Sequence, residues 1–313
     1  MAARRASPYQ RWTDALTVGG FRTGAAVARY VPGVVAEGLA APIGFGVSFA
    51  SVERRATVER HMRRVNPTWS NARIRQAVQG AFDSYTRYWI ESLRLPSLSR
   101  RTVAAGHRLT GFSHIADAIK AGTGVILALP HLGGWEWAGR WLSDRSYRVT
   151  VVVERLDPPE LFDWFVELRE DLGMSVVPVG PSAAGAVVGA LRANHVVCLL
   201  SDRDLQGGGV PVEFFGERTT LPAGPATLGL RTGAPILPVG TYFTRQVNGH
   251  HSVIRPPLDA TRRGSLREDV ARITQAMAGE LEYLIRRAPD QWHMLQPNWP
   301  SDFELIAAEQ NAA

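Results

Sequence analysis

Residues 124–139 read GVILALPHLGGWEWAG: a short apolar run, a pair of glycines and the beginning of an amphipathic segment. This order predicts a buried strand, a tight turn and a helix. Five more apolar, β-branched runs follow it, and segments with helical periodicity lie between them. The predicted strands are 124–130, 147–153, 175–180, 195–201, 211–215 and 235–243, and the predicted helices are 134–144, 160–172, 182–193 and 222–232. Such alternation is typical of βαβ units, so we predict an α/β fold with a central, largely parallel β-sheet flanked by helices.

The rest of the carboxyl-terminal part completes this fold. His250–Leu258 is predicted to be an edge strand, and Leu266–Arg287 a long closing helix. Because the chain contains no internal repeat and no low-complexity linker, we expect a single domain over residues 1–313. It would consist of an N-terminal helical part, residues 1–100, and an α/β core, residues 101–313.

The first hundred residues are predicted to be helical. Ser70–Leu95 carries apolar residues at helical spacing, and Pro96 ends that helix. Residues 16–52 are apolar and glycine-rich, but their longest uncharged run, Gly38–Val52, is shorter than the roughly 20 residues of a membrane-spanning helix. Two structures remain open for it: a helical hairpin packed on the domain, or a segment lying in a membrane interface. Five arginines between residues 54 and 64 favour a membrane-associating segment, because anionic headgroups attract basic residues.

The composition limits the partners. Hydrophobic residues make up 45% of the chain and charged residues 20%, as in an ordinary globular protein. The net charge of +6 favours an anionic partner, although Lys120 is the only lysine and codon usage explains an arginine excess equally well. No nucleic-acid-binding module is recognisable, so we expect no nucleic-acid partner. Cys198 is the single cysteine and lies in an apolar run, which predicts a buried structural thiol.

The most informative chemical residues follow the first predicted strand. His131 comes directly after it, and Glu136 lies in the first turn of the next helix. In open α/β sheets ligands bind beyond the carboxyl ends of the strands. A histidine there can accept a proton from a hydroxyl, especially when Glu136 or a carboxylate from another strand fixes its tautomer. The alternative is a surface histidine beside a glutamate that only complements the helix dipole.

Two other strand ends carry candidate residues. Asp202, Arg203 and Asp204 follow the strand at 195–201 and precede three glycines, so Asp202 can approach His131 if the two strands are close. Glu154 follows the strand at 147–153, and Arg169 lies near the end of the next helix. Taken alone, these residues are equally typical of a polar turn and of a helix end.

Other common chemistries are excluded by their missing motifs. The sequence has no G-x-S-x-G elbow, no phosphate-binding loop with its lysine, and no dinucleotide fingerprint after a strand. No cysteine and histidine cluster has the spacing of a zinc site, so we expect no metal. The neighbouring His250 and His251 are predicted to be exposed beside a loop.

These residues together resemble the lysophospholipid acyltransferase superfamily, whose hallmark is H-x4-D/E. His131 and Glu136 match that motif. Residues 201–239 resemble the branch of the late lipid A acyltransferases, with an acidic strand end, a glycine loop, a phenylalanine pair and a TG-containing helix. The stretches at 84–96, 151–161 and 289–302 look most similar to the phosphatidylinositol mannoside acyltransferases.

The resemblance implies a role for each site residue. His131 would be the general base, and Glu136 would orient His131 or bind the sugar. Asp202 stands where this branch usually carries a glutamate paired with the histidine, and its side chain is one methylene shorter. The residues implied to line the acceptor headgroup pocket are Glu154, Arg169, Arg203 and Asp204. Trp135, Phe214 and Phe215 are candidates for the wall of an acyl-chain groove, and His293 is interpreted as structural packing.

The resemblance also implies substrates and a location. Acyl-CoA would be the co-substrate, without a cofactor, and a phosphatidylinositol mannoside or a related glycolipid the acceptor, at a mannose hydroxyl. The start of the chain lacks the pattern of a secretory signal, so we expect a peripheral protein on the cytoplasmic face of the cell membrane, bound to its anionic surface. Three alternatives remain: a late acyltransferase that uses an acyl-carrier protein, a thioesterase, and a non-catalytic lipid-binding protein.

Overall fold

The computed structural model describes residues 19–20, 23–24, 26–155, 157–205 and 207–312, the last four by their backbone alone. Its centre is a seven-stranded sheet. Its strands are β1 His107–Thr110, β2 Val125–Leu129, β3 Val149–Val153, β4 Met174–Pro178, β5 Val196–Leu200, β8 Ile236–Phe243 and β9 His250–Ile254. Their order in the sheet is β1-β9-β8-β2-β5-β3-β4, and all neighbours are parallel except the antiparallel pair of β8 and β9.

Helices cover the sheet and precede it. From Gly33 onward, the α-helices among the described residues are α1 Gly33–Ala50, α2 Val52–Val65, α3 Asn71–Arg94, α4 Arg100–Ala105, α5 Ser113–Ala121, α6 Trp135–Ser143, α7 Pro159–Asp171, α8 Ala183–Arg192, α9 Gly224–Thr232, α10 Leu266–Arg286 and α11 Pro300–Ala312. The α/β architecture and the apolar helix near the amino terminus are therefore confirmed. The parts of the prediction that fall on residues 1–18, 21–22 and 25 lie outside the described residues.

β2 lies in the middle of the sheet, between β5 and β8, and all of its residues are buried. Alternate side chains of a strand point to opposite faces, so β2 contributes to the apolar core on both sides. Leu129 is paired with Leu200 in the parallel register of β2 and β5. The residues that follow these two strands therefore emerge side by side at the carboxyl edge of the sheet.

Two predicted strands have a different place from the one expected. His250–Ile254 is not an edge strand, because β1 pairs with it on the outside. The predicted strand at 211–215 is β6, Val210–Phe214, which forms an antiparallel hairpin with β7, Glu217–Leu221, and does not join the main sheet. β1 and β7 were both unpredicted, since HRLT and ERTTL are polar stretches without an apolar run.

Helix α1 packs along α3 through one face of small side chains. Ala36, Ala40, Gly44 and Ser48 recur every four residues and are buried. Its opposite face exposes large apolar side chains: Val34, Val35, Leu39, Ile43, Phe45, Val47 and Phe49. By length and composition α1 is apolar enough to cross a membrane, with a mean hydropathy of 1.5 over 18 residues. One face is thus docked on the protein, and the other is free for an apolar environment.

A pair of glycine variants tests this docking. A Cβ at Gly44 would lie 2.8 Å from the Cα of Asp83, whereas Gly46 has open space around it. We expect Gly44→Ala to loosen α1 from α3, at a cost of about 1–3 kcal/mol for the overpacked contact. Hydrogen exchange of residues 33–50 would then rise in Gly44→Ala and not in Gly46→Ala. Equal protection in both variants would contradict the packing described.

Candidate functional site

His131 lies at the carboxyl end of β2, with its side chain one quarter exposed. Its ring Nδ1 is 2.7 Å from Oδ1 of Asp202, and its backbone amide donates to Oδ2 of the same carboxylate at 2.9 Å. Because the carboxylate accepts from Nδ1–H, the neutral ring keeps its lone pair on Nε2. The ring is therefore oriented with Nε2 directed away from the buried carboxylate.

Asp202 is fully buried, so its charge needs several partners. The indole Nε1 of Trp292 donates to Oδ2 at 2.8 Å, and the side-chain amide of Asn298 donates to the Asp202 carbonyl oxygen at 3.0 Å. Burial raises the pKa of Asp202. The imidazole of His131 and the hydrogen bond from Trp292 outweigh this effect and hold that pKa below its ordinary value. Asp202 is thus a carboxylate at neutral pH, and it reaches His131 despite its short side chain.

The glycine turn, Gly133–Gly134, carries the chain from His131 into α6. Gly133 has a φ of +58°, and a side chain there would collide with the carbonyl oxygen of Thr241. Its amide donates to the carbonyl oxygen of Gln291 at 3.0 Å, and the amide of His293 donates to that of His131 at 2.7 Å. The turn is therefore fixed on both sides by backbone contacts.

Glu136 contacts Arg169 and Tyr88, while Asp202 is the carboxylate that orients His131. Arg169 donates to Oε1 of Glu136 through Nη2 at 2.6 Å and through Nε at 3.1 Å, and the Tyr88 hydroxyl donates at 3.2 Å. Burial lowers the pKa of Arg169, but the adjacent carboxylate of Glu136 outweighs this effect, so that the pKa is raised. Burial and the charge of Glu136 raise the pKa of Tyr88 well above its ordinary value. Both groups keep their protons and hold Glu136 beside the site.

The indole ring of Trp135 contacts both Tyr88 and His131. It stacks on Tyr88 with centroids 4.2 Å apart and meets the His131 ring edge-on at 5.7 Å. Phe214 and Phe215, the other two candidates for an acyl groove, are buried in the core among aromatic rings. Of the three, only Trp135 lies at the site.

Arg203 and Glu154 form the outer rim, beyond β5 and β3. Arg203 donates to Glu154 at 3.0 Å and to the side chain of Gln296 at 2.6 Å. Asp204 lies farther along the same loop, where its carboxylate accepts from the amides of Gly207 and Gly209 and from the Thr220 hydroxyl. This contact set shapes the glycine loop, and a role of Asp204 in binding substrate stays a prediction.

Several contributors to the site were missed by the sequence reasoning. Trp292 and Asn298 belong to the stretch at 289–302, whose resemblance to a family was seen although no role in holding Asp202 followed from it. His250 was expected to be exposed, which is wrong: its side chain is fully buried, 2.8 Å from Glu91. His293 packs as expected, among the rings of Tyr88 and Trp135, and burial lowers its pKa to about 3.

Among the residues that the structure describes, no group of three metal-ligating side chains is close enough to hold an ion. Burial, followed by the charge of Glu136, raises the pKa of Cys198 to about 12, so this thiol stays protonated.

Known proteins share this sequence over most of its length. The profile of the bacterial lipid A biosynthesis acyltransferases matches residues 5–301. Phosphatidylinositol mannoside acyltransferase of Mycobacterium tuberculosis strain H37Rv is 43% identical over 227 residues, which cover 71% of this chain and 70% of the relative. The Mycolicibacterium smegmatis protein of that name is 41% identical over 228 residues, 72% and 73% of the two chains. Lipid A biosynthesis acyltransferase of Haemophilus influenzae is 20% identical over 267 residues, 84% and 81%.

The buried charge of Asp202 makes the stability of the protein depend on pH. A carboxyl whose folded pKa is lowered stabilises the fold above its unfolded pKa, and this contribution is lost as pH falls through the folded pKa. We expect Asp202→Asn to lower the free energy of unfolding by about 2–4 kcal/mol at pH 7. Urea unfolding should show this difference shrinking as pH falls below about 4.

Asp163, which is exposed on α7, offers a matched control. Asp163→Asn should change the free energy of unfolding by less than about 0.5 kcal/mol, both at pH 7 and below about pH 4. An Asp202→Asn variant as stable as the wild type at pH 7 would show that the carboxylate does not carry the contacts described.

Proposed function

The chain belongs to the family of bacterial lipid A biosynthesis acyltransferases, and from that premise we propose that it transfers a long-chain fatty acyl group from acyl-CoA to a mannose hydroxyl of a phosphatidylinositol mannoside. The mycobacterial relatives that bear this acceptor in their name share more than 40% of the aligned residues, which supports the choice of acceptor. The observation that carries the proposal is the contact of 2.7 Å between His131 Nδ1 and the buried Asp202. It directs the basic nitrogen of the histidine outward.

In the proposed reaction the acceptor hydroxyl attacks the carbonyl carbon of the thioester. His131 Nε2 takes the hydroxyl proton as the new C–O bond forms, and Asp202 stabilises the resulting imidazolium. The tetrahedral intermediate then collapses, the C–S bond breaks, and the imidazolium returns its proton to the leaving thiolate of coenzyme A. The products are the acylated glycolipid and free coenzyme A, and no covalent acyl-enzyme forms.

The negative oxygen of the intermediate needs hydrogen-bond donors. The amides of His131 and Gly133 already donate to Asp202 and to Gln291, so they are occupied. The first amides of α6, at Gly134 and Trp135, are the better candidates, because the first N–H groups of a helix have no partner within it. One such donor is worth about 3 kcal/mol to a transition state of this kind.

The acceptor headgroup would meet the polar rim of the site. Glu154, Arg203 and Gln296 form a half-exposed hydrogen-bonded set at the adjacent strand ends, and such groups pair with sugar hydroxyls and phosphate. The buried ion pair of Glu136 and Arg169 supports the side of the site on which Trp135 lies. We therefore assign sugar contacts to the rim and a supporting role to Glu136.

The second candidate function keeps the chemistry and changes the substrates. A late acyltransferase that acts on another glycolipid with an acyl-carrier protein as donor is favoured by the family match and by the Haemophilus relative. A thioesterase would use water in place of the acceptor, and a non-catalytic lipid-binding protein would not need the dyad of His131 and Asp202. The products that the protein forms, or the absence of any product, distinguish these three functions from one another and from the proposed one.

A product assay with a histidine variant tests the proposal. The protein would be incubated with labelled acyl-CoA or acyl-carrier protein and a panel of glycolipids, and the products identified by mass spectrometry. We expect acylated phosphatidylinositol mannoside from the wild type, and a loss of at least about 1000-fold in His131→Ala, because the general base and its orientation are both removed.

His114, a half-exposed histidine on α5, serves as the control. His114→Ala should retain wild-type turnover. Turnover that is unchanged in His131→Ala would exclude the mechanism, and free fatty acid as the main product would favour the thioesterase.

We further propose that the exposed face of α1 holds the protein on the cytoplasmic surface of the membrane. This face presents Phe45 and Phe49, exposed by 64% and 80%, and such aromatic side chains are stabilised when they are buried in a lipid interface. The arginines after α1 contribute less than the sequence suggested. Arg60 and Arg64 bind Asp302, and Arg63 binds Glu59, so their charges are largely engaged within the protein.

Membrane binding is measured by sedimentation with anionic phosphatidylglycerol vesicles. We expect the double variant Phe45→Asp, Phe49→Asp to bind at least about tenfold more weakly, since two apolar side chains leave the bilayer. Phe303→Asp, at a 58% exposed apolar position on α11, should bind like the wild type. Equal binding of all three proteins would exclude α1 as the docking face.

A further inference from the structure

A short segment after α10, residues 291–293, pairs with the backbone that follows β2, and the mechanism above gives it no role. The amide of Gly133 donates to the carbonyl oxygen of Gln291 at 3.0 Å. The amide of His293 donates to the carbonyl oxygen of His131 at 2.7 Å. The two bonds form an antiparallel β-bridge between the middle residues of the two segments, at the carboxyl edge of the sheet.

The side chain of Gln291 adds a clamp on the neighbouring strand. Its Oε1 accepts from the backbone amide of Phe243 at 2.7 Å, and its Nε2 donates to the backbone carbonyl oxygen of the same residue at 3.2 Å. A side-chain amide has both a donor and an acceptor, so it can satisfy both backbone groups of one residue. Phe243 is the last residue of β8, which lies next to β2 in the sheet. Gln291 therefore joins the end of β8 to the glycine turn.

The side chain of Trp292 fixes the carboxylate of the dyad. Its indole Nε1 donates to Oδ2 of Asp202 at 2.8 Å, and the backbone amide of His131 donates to the same oxygen at 2.9 Å. Two donors on one oxygen fix the orientation of the carboxylate, so that Oδ1 is directed at the imidazole Nδ1 of His131. The indole is itself held in place, because it is buried and packs against Phe214 and Phe215.

Helix α3 holds the segment from behind. Nε2 of His293 is 2.8 Å from the hydroxyl oxygen of Ser84, and both side chains are buried. One turn earlier in α3, a Cβ at Gly80 would lie 2.9 Å from the Cβ of Asp290, so the helix approaches the start of the segment closely. The segment therefore keeps its place through contacts with α3, and the glycine turn and Asp202 are held against it.

We propose that the 291–293 segment positions the site for acyl transfer. Gln291 is the positioning residue for the glycine turn, which leads into the first amides of α6, the candidate donors to the oxyanion. Trp292 is the positioning residue for Asp202, the carboxylate that orients the base. This inference rests on the proposed function and concerns the same site. Since a misplacement of about 1 Å can lower the rate of such a reaction about 100-fold, the loss of either contact is expected to act on the chemical step.

The chain offers a matched control for Gln291. Gln275, on α10, clamps Glu213 in the same way: it accepts from the backbone amide at 2.8 Å and donates to the backbone carbonyl oxygen at 2.9 Å. Glu213 lies in the hairpin of β6 and β7, outside the main sheet. We expect Gln291→Ala to lower kcat per folded molecule at least about tenfold, with the KM of both substrates within about threefold, because the lost contacts serve mainly the transition state. Gln275→Ala should leave kcat and KM within about twofold.

Trp299 allows the same comparison for Trp292. Its indole Nε1 donates to the carbonyl oxygen of Phe214 at 3.2 Å, and it is equally buried in the same aromatic cluster. Trp292→Phe and Trp299→Phe therefore each remove one buried indole donor, but only the first removes a contact with Asp202. We expect kcat per folded molecule to fall at least about tenfold in Trp292→Phe and to stay within about threefold of the wild type in Trp299→Phe.

Hydrogen exchange in the wild type tests the segment without any variant. The amides of Gly133 and His293 should exchange as slowly as those of β2, because both are hydrogen-bonded between the two segments. Fast exchange of these two amides would overturn the proposal even if neither variant folds.

The kinetic results can overturn the proposal in three further ways. They are an unchanged kcat in both Gln291→Ala and Trp292→Phe, a raised KM with kcat unchanged, and a loss of kcat that is as large in the two control variants. Failure of the proposed function is distinguishable from these results. If the wild type hydrolyses the thioester and acylates no glycolipid, the proposed function fails, and the same comparison is made on kcat for hydrolysis.

Discussion

The contact between His131 and Asp202 is the constraint on which the rest of the site depends. It exists because β2 and β5 are adjacent and parallel, with Leu129 opposite Leu200, so that the residues after the two strands emerge together. A carboxylate in this position is buried, and an unpaired buried charge costs several kcal/mol. The protein must therefore supply donors to it. Trp292 and the His131 amide do so, which ties the segment after α10 to the carboxyl edge of the sheet.

The same segment is anchored a second time, on the N-terminal helices. Asp302, at the beginning of α11, accepts hydrogen bonds from His61, Arg60 and Arg64 of α2. Burial raises the pKa of Asp302, but these three groups outweigh this effect and hold that pKa far below its ordinary value. Two of the five arginines that the sequence offered for a membrane surface, Arg60 and Arg64, thus fasten the segment that holds Asp202. The membrane contact proposed above involves the apolar face of α1 instead.

The sequence was most informative where the signal is local. The strand before His131, the helix after it and the alternation that follows are visible in the order of apolar residues, and the placement of Asp202 beside His131 follows from parallel strand ends. β1 and His250 were not predictable in this way. β1 has few apolar residues and forms by pairing with β9, while His250 stands in a polar stretch and becomes buried through Glu91 and Trp137, which are distant in the chain. The same limit applies to Glu136. Its position in the motif did not reveal that its carboxylate accepts a hydrogen bond from Arg169.

Three histidines around the glycine turn show how partners alone decide the role of one residue type. His131 has one carboxylate on Nδ1 and a side chain that is one quarter exposed, as the proposed base requires. His293 has a hydroxyl partner, Ser84, and no carboxylate within its described contacts, and burial keeps it neutral. His250 is fully buried, with Nδ1 3.2 Å from the carbonyl oxygen of Asn248 and Nε2 2.8 Å from Glu91. The glycine turn is therefore flanked by one partly exposed histidine, which is held by a buried carboxylate, and by two buried histidines.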